Sequence, residues 1–80
     1  MRTIKLNFPK STNGQRIPFN YGNKSWSVEI DINRNIMIIR DDKGNAVRTL
    51  HIYSNDTIEY EDEIDGLINA AINALNNIKY

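Results

Sequence analysis

Hydrophobic and polar residues alternate with a period of two over much of the first 60 positions of the chain. The alternation is clear in residues 3–8, 17–21 and 26–32, and two further runs rich in apolar residues occupy 36–41 and 46–53. A period of two places successive side chains on opposite faces of a strand, so each run predicts a strand with one buried face. Short polar segments separate the runs, as the turns of antiparallel hairpins require.

Three local signals refine this arrangement. Pro18 lacks a backbone N–H, so the strand that contains it is predicted to lie at an edge of the sheet. The segment Asp42-Lys43-Gly44 suits a three-residue hairpin loop in which Gly44 adopts the left-handed conformation. Residues 57–60 again alternate and predict a further short strand.

The period changes to that of a helix after residue 61. Apolar residues then recur at spacings of three and four, which forms one stripe along a helix over about 62–78. The stripe consists of Ile64, Leu67, Ile68, Ala71, Ile72, Leu75 and Ile78. Acidic residues in the first turn complement the positive end of the helix dipole, and Asp62 is the predicted N-cap.

Together these elements predict an α+β fold. It consists of an antiparallel meander of four to five strands with one C-terminal amphipathic helix packed on one face. A chain of 80 residues forms a single domain, here 1–80, with its strands within 3–60.

The turns also suggest a register, which assigns side chains to the two faces of the sheet. Pairing Ile32 with Ile36 fixes one hairpin, and pairing Asp41 with Asn45 fixes the next. The face under the helix then contains Trp26, Val28, Ile30, Ile32, Ile36, Ile38, Leu50 and Ile52. The opposite face contains an apolar group in a polar frame, namely Met37, Ile39, Val47 and Tyr53. Either the N-terminal segment folds back over this group, or the group is an exposed patch that marks an interaction site.

Composition narrows the class of protein. Hydrophobic residues make up 40% of the chain and charged residues 25%, which is ordinary for a globular domain. The longest apolar run, 36–39, is far shorter than the roughly 20 residues of a membrane span, and the N-terminus lacks the apolar stretch of a signal peptide. The chain contains no cysteine, which excludes disulfides and thiolate metal sites. We therefore expect a cytoplasmic protein, of a bacterial host cell if it is encoded by a bacterium or a phage, with no membrane partner.

No group of residues predicts catalysis. His51 is the only histidine, so a histidine pair or a multi-histidine metal site cannot form within one chain. The acidic run at 59–65 lacks the alternating ligands and central glycine of a calcium-binding loop. The four glycines are isolated, so no phosphate-binding loop is present. The sequence predicts a protein that is not an enzyme and needs no cofactor.

Charge is balanced in total but uneven along the chain. Residues 1–24 contain bases and no acid, whereas residues 56–65 contain acids and no base. An acidic surface beside an apolar patch predicts a small module that binds a protein partner. Such a module suits a phage or mobile-element inhibitor of a host defence or nucleic-acid-handling protein, and the same patch suits a homodimer. The predicted protein-binding residues are Met37, Ile39, Val47, Tyr53, Asp41, Asp42, Glu61, Asp62 and Glu63.

Single-stranded nucleic-acid binding is the alternative. The order of strand meander, short strand and C-terminal helix, with its most suggestive stretch at 57–64, is similar to the positive-cofactor-four family of single-strand DNA binders. The resemblance implies a homodimer formed through the helix, with basic and aromatic residues that bind DNA across the sheet. On this alternative the binding residues are Lys24, Arg34, Arg40, Arg48 and Tyr53. Glu29 and Asp31 would repel phosphate from the face of the sheet opposite the helix.

Overall fold

The computed structural model describes residues 2–60 and 66–78. The strands are β1 (Arg2–Lys5), β2 (Arg16–Tyr21), β3 (Lys24–Asp31), β4 (Ile36–Arg40), β5 (Ala46–His51) and β6 (Thr57–Tyr60). The helix α1 spans Leu67–Asn76, and short 3-10 turns occupy Lys10–Thr12 and Ser54–Asp56. The predicted N-cap of the helix, Asp62, lies outside the described residues. No helix within the described part of the chain is long and apolar enough to span a membrane.

Within residues 2–60 and 66–78, six strands form two antiparallel sheets. Strands β2, β3, β4 and β5 are neighbours in chain order, so the meander and the α+β class are confirmed. Strands β1 and β6 instead pair with each other in a second sheet. The two strands at the ends of the predicted series therefore extend neither edge of the meander.

Strand β2 lies at an edge of the sheet, as Pro18 predicts. A two-residue turn joins β2 to β3, so Tyr21 and Lys24 form the first hydrogen-bonded pair of the ladder. Such pairs recur at every second residue, and Pro18 falls between them. The nitrogen of Pro18 therefore faces away from β3, and the missing N–H removes no bond from the sheet.

The core lies on one side of the four-stranded sheet, which we call the inner face. Helix α1 packs against β2 and β3 from this side. The helix contributes Leu67, Ile68, Ala71, Ile72 and Leu75, all buried. Leu6, Phe8, Ile58 and Tyr60, from β6 and the segment after β1, join the same cluster. The N-terminal segment therefore packs on the inner face and does not cover the opposite side, which we call the outer face.

The inner face of β4 is formed by Met37 and Ile39, both 0% exposed. Of the two alternatives for these residues, the exposed patch is therefore wrong, and they share the core cluster with Leu6 and Phe8 of the N-terminal segment. The reason is the turn between β3 and β4: Asp31, rather than Ile32, pairs with Ile36. A slip of one residue moves every side chain of a strand to the other face. Ile36 and Ile38, which were expected under the helix, lie on the outer face instead.

A β-bulge causes the second error in register. The predicted pairing of Asp41 with Asn45 is confirmed, since the Asp41 N–H donates to the Asn45 carbonyl oxygen at 2.9 Å. The register then shifts between Ile39 and Arg40, which leaves Val47 as the extra residue of β5. Beyond the bulge, Ile36 pairs with His51 and not with Leu50.

Candidate protein-binding surface

The outer face of the four-stranded sheet is the surface that the structure leaves available. No described helix or strand packs over it. The register places the residues of one row side by side across the four strands, in the order Arg16, Glu29, Ile38 and Thr49. The next row contains Asp31, Ile36 and His51. Thr49 and His51 are exposed, so the face is open along β5.

Two isoleucines of β4 form the apolar centre of the outer face. Ile38 is 8% exposed although it does not belong to the main core cluster, and Ile36 is half-buried. Each faces neighbours on β3 and β5 that are polar or charged. These two residues form a small apolar strip in a polar frame, in which Ile36 offers part of its side chain and Ile38 offers little accessible surface.

A cluster of three charged residues stands beside this strip. Arg16 Nε and Arg40 Nε lie 3.6 Å and 3.3 Å from the same oxygen, Glu29 Oε1. Arg40 Nη1 also donates to the carbonyl oxygen of Gly44 at 3.0 Å. The carboxylate thus holds both guanidinium groups on the outer face, and Arg40 ties the β4–β5 loop to the sheet.

The β4–β5 loop is organised by the carboxylate of Asp41. Its Oδ1 accepts the backbone N–H groups of Lys43 and Asn45, each at 2.9 Å. The bond from Asn45 is the largest influence that holds the pKa of Asp41 below its ordinary value. Gly44 adopts φ +86°, which confirms the left-handed conformation predicted for it. Asp41 therefore acts first as a structural residue of the loop, while the Asp42 side chain is exposed beside it.

The opposite end of the outer face has an aromatic pair. The rings of His51 and Tyr53 meet edge to face, with centroids 4.6 Å apart, and Tyr53 is 48% exposed. A concavity of about 400 Å³ lies next to them, lined in part by Asn35, Ser54 and Asn55. A held aromatic ring beside a concavity is the kind of feature that anchors a protein partner.

The predicted protein-binding residues are not brought together. Met37 and Ile39 are in the core, and Val47 is the bulged residue that packs partly against the same core. Asp41 and Asp42 lie in the β4–β5 loop, whereas Tyr53 lies beyond the far end of β5. The remaining three predicted residues, Glu61, Asp62 and Glu63, lie outside the described residues.

The residues of the nucleic-acid alternative are also dispersed. Lys24 begins β3, while Arg34 lies in the turn at the other end of that strand and is 3.6 Å from Asp31 Oδ2. Arg48 pairs with Ile39 and therefore lies on the inner face of β5, whereas Arg40 lies on the outer face. Of this set, Arg40 alone has a place among the central rows of the outer face, where it is paired with Glu29.

Sequence reasoning placed Glu29 on the face opposite the helix, but it missed Arg16, Ile36 and Ile38. The run 36–39 contains four apolar residues without alternation, so no pattern within β4 indicates which pair is buried. Pro18 and the alternation around it correctly predicted that β2 lies at the edge of the sheet. Identifying the residue of β3 that pairs with Arg16 requires the register of the two strands.

Comparison with known proteins gives no family for this chain: no family model, no curated protein and no solved structure matches it. Within residues 2–60 and 66–78, no group of three histidine, cysteine or acidic residues is positioned to hold a metal ion.

Proposed function

We propose that this protein is a small binding module that recognises a protein partner through the outer face of its four-stranded sheet. The observation that carries the proposal is that no described helix or strand covers this face, on which Ile36 is half-buried, Ile38 is 8% exposed and Tyr53 is 48% exposed. A single-layer contact of this kind needs only the sheet as a platform, with apolar residues at the centre and charged residues at the rim.

The charges around the strip favour a protein over a nucleic acid. Arg16 and Arg40 both contact Glu29, and Arg34 is near Asp31. Each of these three arginines therefore has a carboxylate neighbour, which opposes the approach of phosphate. The finer form of the proposal is that the partner is a host protein and that binding inhibits it; this rests on the size and composition of the chain alone.

The test uses a photo-crosslinking residue at two exposed positions. Thr49 lies on the outer face, and Asn73 lies on the exposed side of α1 and provides the matched control. In extracts of the cells that naturally contain the gene, we expect a discrete crosslinked species from position 49 and none from position 73. Thr49→Arg should then weaken binding of that species by about tenfold or more, as expected where a bulky charge is placed next to Ile38, while Asn73→Arg leaves it unchanged.

Equal crosslinking from both positions, or an unchanged affinity in Thr49→Arg, would remove the support for this face. The nucleic-acid alternative is tested in parallel by fluorescence anisotropy with single-stranded and duplex oligonucleotides at about 50 and 200 mM salt. Micromolar binding that weakens steeply with salt would replace the proposal, because release of counterions drives binding to phosphate.

A further inference from the structure

The boundary between the two sheets is an incomplete hairpin. Strands β5 and β6 follow each other in sequence and remain neighbours, yet they belong to different sheets. A single bridge joins their ends, in which the N–H of Tyr53 donates to the carbonyl oxygen of Thr57 at 2.7 Å. We call the gap beyond this bridge the seam.

The hydrogen bonds on either side show which main-chain groups face the seam. The Ile52 N–H donates to the Asn35 carbonyl oxygen, so Ile52 faces the β4 side. Main-chain groups of successive residues in a strand point to opposite sides, and His51 therefore faces away from β4. His51 is not paired with any described strand on that side.

The same reasoning applies to β6. The Leu6 N–H donates to the Asp56 carbonyl oxygen, which makes Asp56 and Ile58 the residues that face the β1 side. Thr57 and Glu59 then face the opposite side, consistent with the bond from Tyr53 to Thr57. The free main-chain groups of Glu59 therefore point toward β5.

The two strands are in register for further pairing. In an antiparallel ladder that begins with Tyr53 opposite Thr57, the next hydrogen-bonded pair is His51 opposite Glu59. The facing of the side chains also agrees: Ile52 and Ile58 are both buried in the core, while His51 and Glu59 are both exposed. Closing the seam therefore requires no side chain to change face.

We propose that the seam closes, so that β5 and β6 pair through His51 and Glu59 and the two sheets become one sheet of six strands in the order β2-β3-β4-β5-β6-β1. Closure adds the two main-chain hydrogen bonds of one narrow pair and brings an imidazole and a carboxylate side by side on the outer surface. This inference goes beyond the proposed function and does not depend on it, since it concerns pairing within the chain. Its consequence is a conformational switch that extends the outer face beyond β5.

Disulfide formation measures whether the seam closes, and the absence of cysteine from the natural chain makes the experiment clean. The test variant is His51→Cys with Glu59→Cys. The control is Thr3→Cys with Glu59→Cys, because Thr3 and Glu59 are already opposite each other in the β1–β6 sheet, as a non-hydrogen-bonded pair. Cross-strand neighbours have Cα separations that a disulfide accepts. Both variants are equilibrated in glutathione buffers, and their equilibrium constants for disulfide formation are compared.

We expect the constant for the seam pair to lie within about tenfold of the control. A constant lower than that by a larger factor would overturn the proposal. A measurement on the unmodified chain guards against loss of folding in the variants: closure gives a nuclear Overhauser contact between the amide protons of His51 and Glu59. Absence of this contact, together with rapid hydrogen exchange at both amides, would equally overturn it.

Discussion

The two faces of the four-stranded sheet present nearly the same apolar chemistry at β4, yet their surroundings differ completely. On the inner face, Met37 and Ile39 are 0% exposed and belong to the core cluster. On the outer face, Ile36 and Ile38 stand among charged and polar neighbours with no described element above them. The comparison teaches that hydrophobicity alone does not assign a face. What assigns it is the pairing of the strand with its neighbours.

The sharpest way to break this comparison is to place the same carboxylate on each face. Ile39→Asp puts a charge in the core and removes a fully buried side chain, so we expect a loss of about 4 kcal/mol or more in the free energy of unfolding. That is comparable with the total stability of a domain of this size, about 4–12 kcal/mol. Circular dichroism should therefore show a largely unfolded chain.

The control is Ile36→Asp on the outer face, for which we expect a loss of about 1 kcal/mol, because a half-buried side chain there can turn its charge to water. Similar losses for the two variants, by urea denaturation, would contradict the assignment of faces.

This pair of residues also shows how far the sequence predicts the fold. The strands, the helix and the edge position of β2 follow from local patterns: alternation, the stripe of α1 and the missing N–H of Pro18. The faces of β4 depend on turn geometry, and one turn is a residue longer than expected. The bulge at Val47 adds a second shift. Neither feature has a distinctive signal in single residues, so the predicted patch was inverted.

The sequence did not predict the pairing of β1 with β6, and the reason is different. A short strand carries little information about its partner, because any exposed edge offers the same main-chain groups. The choice is made by burial of distant residues, such as Leu6 and Ile58, in one cluster. The outer surface could be expected to exist, since one helix cannot cover both faces. Its residues on β3 and β5 could be named, such as Glu29 and Thr49, but those on β4 could not.

The next largest effect concerns the charges of the outer face. Glu29 is 16% exposed and contacts two guanidinium groups, so Glu29→Gln leaves both without their counter-charge. We expect a loss of about 1–2 kcal/mol in the free energy of unfolding, measured by urea denaturation. Asp31→Asn is the control, because the contact of Asp31 with the exposed Arg34 side chain contributes about 0–1 kcal/mol. An equal loss in both variants would show that the cluster around Glu29 has no special role.

A smaller effect is expected where the inner face is closed by the helix. The Tyr21 hydroxyl oxygen accepts the N–H of Gly66 at 2.9 Å, immediately before α1 begins. The N-cap residue of α1 is Gly66, which has no side chain to cap the helix. Tyr21→Phe removes the hydroxyl acceptor from this helix start, so we expect a loss of about 1 kcal/mol in the free energy of unfolding. Tyr53→Phe serves as the control on the outer side and should change the thermal midpoint little. If both substitutions are neutral, the hydroxyl of Tyr21 does not hold the helix.

The smallest effect sharpens the boundary of the outer face at the β4–β5 loop. The carboxylate of Asp41 is held by the N–H groups of Asn45 and Lys43, which lower its pKa in the folded chain. A folded-state pKa below the unfolded one, about 3.9, means that ionised Asp41 stabilises the fold above that pH. This contribution disappears as the pH falls through the folded-state pKa.

Asp41→Asn cannot titrate, so the stability difference between it and the natural chain should be greatest near neutral pH and should shrink below a pH of about 4. A difference that stays constant between neutral and acid pH would mean that the loop does not depend on the charge, and Asp41 would then be available to a partner like its neighbour Asp42.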